Sequence, residues 1–599
     1  MAAALLNLIG RSLPLSWMTG PIFDKELRVS SRRRRNYVLR FAYLALLTAF
    51  LALIWIQVTQ RGGSALYRMS RMAEAGKNII ACTVWFQFIA TQIVAVIMLS
   101  TSISDEIYNR TLGLLMTTPV NSFQIVMGKL LSKLLQLMLL MLISLPVLAI
   151  VRVFGGVPWS YVISSLFITL STVIFLGSLS LFFSIFTRKA YVAIILTCLT
   201  AAALFALIPI MGFMIWHTFE LRSAIPEKTM FTVFFLPNPY CNLFFNTILM
   251  VEPRAGGGMP FFFWPVHCGV ILTVSAILLS VCVFKVRKAA LRQAAGQVVA
   301  PCRKRRARKK ADGEQDGPEG SGRRTRPVVG PPILWKELRS PMLGRRKVAS
   351  IVTIALCLVA LAVTYLLCAM ENALDDDDVQ NIYAVIFLSI GILFSIVLAS
   401  TCITSEKESR SWPLLMATTL DGNDILLGKF VGIVRRCLPA WLLLLGHTLI
   451  FSLAGLIHPV AIFQMGMLAT WIVAFLAGTG LYFGSCFKRT TTAVLMNFAV
   501  AAGIWAVVPI LLAIFGAISR DLQPFIEVYM DTNPFVHAIV IMDAATGHPG
   551  DYRWVSFRSS DVSAGITSTV WMLICMAGYV AIGFIFALRS RRRFRRNVF

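Results

Sequence analysis

The chain has 599 residues, 57% of them hydrophobic, with a mean hydropathy of +0.75 and a formal net charge of +28. A soluble domain of this length is far less apolar, so the composition excludes an ordinary water-soluble enzyme. The charge does not make the chain a nucleic-acid binder, because the basic residues follow a membrane pattern.

Twelve apolar stretches reach the roughly 20 residues needed to cross a bilayer. In chain order they are 38–57, 79–101, 131–151, 161–186, 190–216, 263–284, 350–369, 382–403, 432–456, 461–486, 492–518 and 564–588. Each is too long for a buried strand. The expected fold is therefore an all-α polytopic membrane protein. With twelve spans, both termini and every second loop share one side. The opposite side carries 11 Lys and Arg against 15 Asp and Glu, which leaves 45 of the 56 basic residues on the terminal side. The positive-inside rule makes that side cytoplasmic.

The first twenty residues, including LPLSWMTG, lack an apolar core followed by a small-residue cleavage site, so no cleavable signal is expected. PIFDKELR (21–28) comes next, before the first span. PILWKELR (332–339) stands before the seventh and matches it at six of eight positions. Each reads as a short interfacial helix, with proline at its first turn and Lys25, Glu26 and Arg28, or Lys336, Glu337 and Arg339, beside apolar residues.

After the second span, GLLMTTPVNSFQIVMGK (113–129) is echoed by PLLMATTLDGNDILLGK (413–429), with seven of seventeen positions identical and no gap. Both loops carry an acid four residues before a base, Glu106/Arg110 and Glu406/Arg410, the favourable order on a helix. With Ile103, Ile107, Leu114 and Leu115 falling on one face, the loop reads as an amphipathic helix at the membrane surface. Asn121 or Ser122 with Gln124, and Asp421 or Asn423 with Asp424, are placed to cap the helix that follows.

Further markers keep the same order: FTRKAYVA (186–193) and CFKRTTTA (486–493), Pro209 and Pro509, and Asn238-Pro239 and Asn533-Pro534. The organisation expected is two six-helix repeats, 1–300 and 332–599, joined by a linker over 301–331. An even number of spans per half makes the repeats parallel. The linker is charged, rich in Gly and Pro and poor in apolar residues, as disordered segments are. After each Asn-Pro a stretch too short to span, 240–251 and 535–544, reads as a re-entrant or interfacial hairpin.

The ordered set P-x-x-x-K-E-L-R, then E-x-x-x-R-x-x-x-L-L-M-x-T, then I-x-x-G-K, present twice, resembles the permease subunits of type-2-class ABC exporters. The likeness covers both halves and leaves out the linker. Half two departs from the family's loop at Ser411-Trp412-Pro413, where half one keeps Thr111-Leu112. The resemblance implies six helices per half framing a path for an unknown substrate. It also implies a coupling helix after each second span that seats in a separate ATPase subunit, one copy per half. On that analogy Glu106, Arg110, Leu114, Glu406, Arg410 and Leu414 are the coupling residues. The setting implied is a bacterial cytoplasmic membrane.

Catalytic signatures are sparse. The nearest approach to a phosphate-binding G-x-x-x-x-G-K-[ST] loop, Gly422 to Phe430, has one residue too many and Phe in place of Ser or Thr. ATP and magnesium are thus expected on the partner, with no cofactor or metal on this chain and no enzyme activity of its own. The twelve cysteines are scattered and read as small apolar fillers. His447 lies inside a span, where it reads as a histidine bonded between helices. Two alternatives remain on sequence: a secondary transporter of the major facilitator type, and a membrane scaffold that transports nothing.

Overall fold

The structure is a computed structural model. It describes residues 21–26 and scattered positions to 56, then 65–108, 111–112, 118, 120–187, 190–221, 225–252, 263–294, 330–339, 347–518, 523–546 and 564–594. Among them all regular structure is helical.

The first part holds α1 (Ala65–Ser100), α2 (Ser104–Tyr108), α3 (Ser122–Gly155), α4 (Trp159–Phe186), α5 (Ala190–Thr218), α6 (Glu227–Phe234), α7 (Pro239–Val251) and α8 (Trp264–Ala294). The second holds α9 (Pro332–Arg339), α10 (Lys347–Met370), α11 (Asp377–Glu408), α12 (Trp412–Met416), α13 (Gly422–Leu453) and α14 (Val460–Cys486). It continues with α15 (Thr490–Ala502, a π turn at Gly503–Val507, then Val508–Ile518), α16 (Gln523–Met530), α17 (Pro534–Thr546) and α18 (Ala564–Arg593).

Ten of these helices are long and apolar enough to cross a membrane. The expected span at 350–369 lies within α10, whose stretch Ile354–Met370 is apolar. Most of the expected first span, 38–57, and nearly all of the linker lie outside the described residues. The chain is a multi-pass, all-helical membrane protein.

Small residues let the central helices close on one another. A Cβ on Gly478 of α14 would collide with the carbonyl oxygen of Gly583 in α18, and one on Gly583 would sit 2.6 Å from the carbonyl of Ala474. Two backbones therefore touch there, the small-residue packing that membrane helices use in place of a hydrophobic drive. Helix α4 solves the same problem with hydroxyls. Most of its buried serines and threonines bond back to their own helix, whereas Ser180 Oγ donates to Val96 O of α1 at 3.1 Å.

The two parts meet across a seam of second and fifth spans: α11 packs on α5, and α1 packs on α15. At the end away from α2 and α12, His217 Nδ1 of α5 lies 3.0 Å from Glu371 Oε1, just past α10. The stretches expected as re-entrant or interfacial hairpins, 240–251 and 535–544, are instead single helices, α7 and α17, each preceded by a short helix, α6 or α16. Helix α7 packs on α4 and α1, and α17 packs on α11 and α14.

Candidate functional site

At the other end, three segments far apart in sequence converge in each part. In the second, Pro332 starts α9 and Ile333 turns inward onto α13, where a Cβ on Gly428 would come within 2.7 Å of it. One turn later Glu337 sits over Gly432, where a Cβ would come within 3.0 Å of its side chain. The two glycines open a groove that admits the α9 backbone. Lys429, between them, then reaches Glu337 Oε1 at 2.8 Å and Glu406 Oε1 at 2.6 Å. Lys336 Nζ adds 3.0 Å to Glu406 Oε1, Arg436 pairs with Glu337 Oε2, and Arg435 donates to the Glu337 carbonyl at 2.7 Å. The side chains of Lys429, Glu337 and Glu406 are only 2%, 4% and 13% exposed. Ions so far from water persist only when paired. Burial pushes the Glu337 carboxyl up, but Lys429 and Arg436 outweigh it and hold it below the usual carboxylate range.

The first part repeats the arrangement more loosely. Lys129 Nζ lies 3.0 Å from Glu106 Oε1 and 4.0 Å from Glu26 Oε1, and Lys133 Nζ lies 3.3 Å from Glu26 Oε2. Thr111 donates to Glu106 Oε2. Here the carboxylates are 26–30% exposed. Burial raises the Glu106 carboxyl, and Lys129, Thr111 and the nearby Lys25 more than offset it.

Of the residues singled out in the sequence, Glu26 and Glu106 meet in one cluster, with Lys25 near Glu106, and Lys336, Glu337 and Glu406 meet in the other. Others are placed elsewhere. Arg339 stacks on Trp335 at 4.8 Å, and Arg28 is exposed. Arg410 is not the helical partner of Glu406. Helix α11 ends at Glu408, and Arg410 follows at φ 55°, exposed, in the left-handed region that non-glycine residues seldom occupy. Arg110 and Leu114 lie outside the described residues, and Leu414 is 72% exposed. The functional residues missed in the sequence are Lys129 and Lys429. The repeated Gly-Lys pair was their signal, but its acidic partners are distant in sequence.

The loop of the second part is also not one amphipathic helix, while most of 109–117 in the first lies outside the described residues. In the first part a turn at 101–103 separates α1 from the short α2. In the second, α11 runs straight out to Glu408, breaks at 409–411, and restarts as the five-residue α12. Trp412 anchors that restart, buried edge-on against Phe594 beyond α18 with ring centres 5.4 Å apart. Of the expected caps, Asp421 accepts from Gly422 N at 2.7 Å, and Asn121 N donates to Gln124 Oε1 at 3.2 Å. The loop of the second part also holds the turn between α14 and α15. Lys407 Nζ donates to the Ser485 and Phe487 carbonyls at the C-terminus of α14, and Glu408 Oε1 accepts Thr490 N, the first amide of α15, at 2.7 Å.

The site is thus an electrostatic joint. It ties α9 and the last turn of α11 to α13, and through Glu408 to α15.

Residues 21–300 match the family model described as ABC-2 family transporter protein. With its many apolar helices, the chain fits an ABC-2 type permease, a membrane component of ABC transporters. No curated protein matches the chain.

Proposed function

We propose that this chain is the permease subunit of an ATP-driven exporter, with two six-helix repeats, 1–300 and 332–599, joined by a linker over 301–331. The repeats form the substrate path, and each seats one separate ATPase subunit on the loop after its second span. Both termini and the loops then face the cytoplasm of a bacterial cell. ATP and magnesium belong to the partner. The lipid bilayer surrounds the spans, and nucleic acid is not a partner.

The observation that carries this is the duplicated joint. One lysine, Lys129 or Lys429, is gripped by an acid from the KELR segment and an acid from the loop, in both halves. A purely topogenic anchor needs no buried ion cluster, whereas a lever that must transmit force needs a stiff joint. Glu106 and Glu406 act as positioning residues, turned into the joint. Leu414, exposed on α12, is the side chain that meets the partner.

The test is purification of the tagged chain from native membranes in mild detergent, with mass spectrometry of whatever accompanies it. An ATPase at two copies per chain supports the proposal. Transport that survives ATP depletion, with no ATPase bound, points to a facilitator, and absence of any transport points to a scaffold.

A further inference from the structure

The fifth span of each half carries a proline, Pro209 or Pro509. Proline has no N–H, and its ring crowds the carbonyl four residues back. Those carbonyls belong to Phe205 and Trp505. In both halves the residues before the proline, Ala203–Leu207 and Gly503–Val507, wind as a π turn. In both halves, too, a buried asparagine supplies the missing donor. Asn238 Nδ2 donates to Phe205 O at 2.6 Å, and Asn533 Nδ2 donates to Trp505 O at 2.7 Å. The same side chains start the next helix: Asn238 Oδ1 accepts Tyr240 N at 3.0 Å, and Asn533 Oδ1 accepts Phe535 N at 3.0 Å. In the second half Tyr529 OH also donates to Ile504 O, the neighbouring carbonyl of the turn, at 2.8 Å.

Each asparagine therefore has two tasks in different elements. Its oxygen caps α7 or α17, and its nitrogen replaces the amide that proline removed from α5 or α15. Capping alone explains the oxygen and leaves the nitrogen unexplained. The spans with the π turns also meet the opposite part at the seam, α5 against α11 and α15 against α1. The short helices before each asparagine sit hard on the same spans. Phe234 fills the space a Cβ on Gly212 would need, and Ile526 fills it at Gly516.

We propose that Asn238 and Asn533 are positioning residues that latch the helix pairs α6–α7 and α16–α17 to the π turns of the fifth spans, so that pair and turn move as one body. Any shift of α5 or α15 at the seam then carries the helix pair with it. Resting on the permease assignment, this makes each pair a cover for the exterior mouth of the path, driven from the seam.

The test is hydrogen–deuterium exchange on the purified full chain in lipid nanodiscs. It needs neither ATPase nor substrate, so its failure is separable from failure of the permease assignment. Asn238→Ser with Asn533→Ser keeps a good helix cap but cannot reach the carbonyl. Exchange in 239–251 and 534–546 is expected to speed up about five- to tenfold, the weight of one net hydrogen bond at each site, while α4 and α14 are unchanged. Asn238→Asp with Asn533→Asp provides a rescue. A protonated carboxyl donates to the carbonyl and an ionised one does not, so, with exchange at each pH taken relative to the wild type, protection close to wild type is expected at acid pH and its loss at alkaline pH. Unchanged exchange in the serine variant, or an aspartate variant without this pH dependence, would overturn the latch and leave Asn238 and Asn533 as helix caps alone.

Discussion

Replacing Lys429 by methionine keeps the length of the side chain and removes its charge. The wild-type ammonium lies 2.8 Å from Glu337 and 2.6 Å from Glu406, almost wholly shielded from water. Its loss leaves two carboxylates side by side, with Arg436 and the outer Lys336 beside them. Breaking a buried pair in this way costs about 3–5 kcal/mol. The same change at Lys129 leaves carboxylates that are more than a quarter exposed and that water can solvate, so about 1–2 kcal/mol is expected. Equilibrium unfolding of the purified chain by SDS titration in mixed micelles, followed by helical circular dichroism, measures both. Adding Glu337→Gln and Glu406→Gln to the Lys429→Met chain removes the uncompensated charge and should recover most of the loss. Equal costs for the two lysines, or a triple variant no better than the single one, would refute the electrostatic joint.

The Glu337 carboxyl lies below its ordinary value, so its contribution to stability is complete above the unfolded value of about 4.3 and fades as pH falls through the folded value. Stability of the wild type should therefore drop below about pH 4.3, and Glu337→Gln should flatten that drop in the same titration. Leu414→Asp is expected to reduce ATPase binding at least tenfold without changing the unfolding curve, because the side chain already lies in solvent; a lowered unfolding midpoint would show instead that it packs within the chain. Gly478→Ala drives a methyl into the backbone of α18 and should cost about 1–3 kcal/mol or more, read by the same unfolding assay. Cutting an engineered protease site in the linker should leave the two halves bound, held by the seam of second and fifth spans; recovery of one half without the other on a tag resin would contradict that.

Hydropathy was enough to find the ten long apolar helices and the apolar stretch of α10, since a bilayer demands about 20 apolar residues wherever a helix crosses. The repeated motifs were visible because each is contiguous. What they do was not, because the contacts are not contiguous. Lys429 finds Glu406 23 residues away and Glu337 92 residues away. Local pattern also set Glu337 on a short interfacial helix with no sign of its burial, and paired Glu406 with Arg410. The glycines at 428 and 432 draw α9 inward and make Glu337 one of the more buried charges, while the end of α11 moves Arg410 out of helical register. Pro209 and Asn238, and Pro509 and Asn533, were each noted as markers. That the asparagine answers the proline appears only when the chain is folded.

The central claim is that each half presents its own seat for an ATPase, held in place by its joint. The most direct measurement is the number of ATPase copies retained per chain, by native mass spectrometry of complexes from the original host, for wild type and for Glu106→Gln, Glu406→Gln and the double variant. Two copies for wild type, one for each single variant and none for the double, with helical content unchanged, is the predicted series. Two copies retained by the double variant would contradict it.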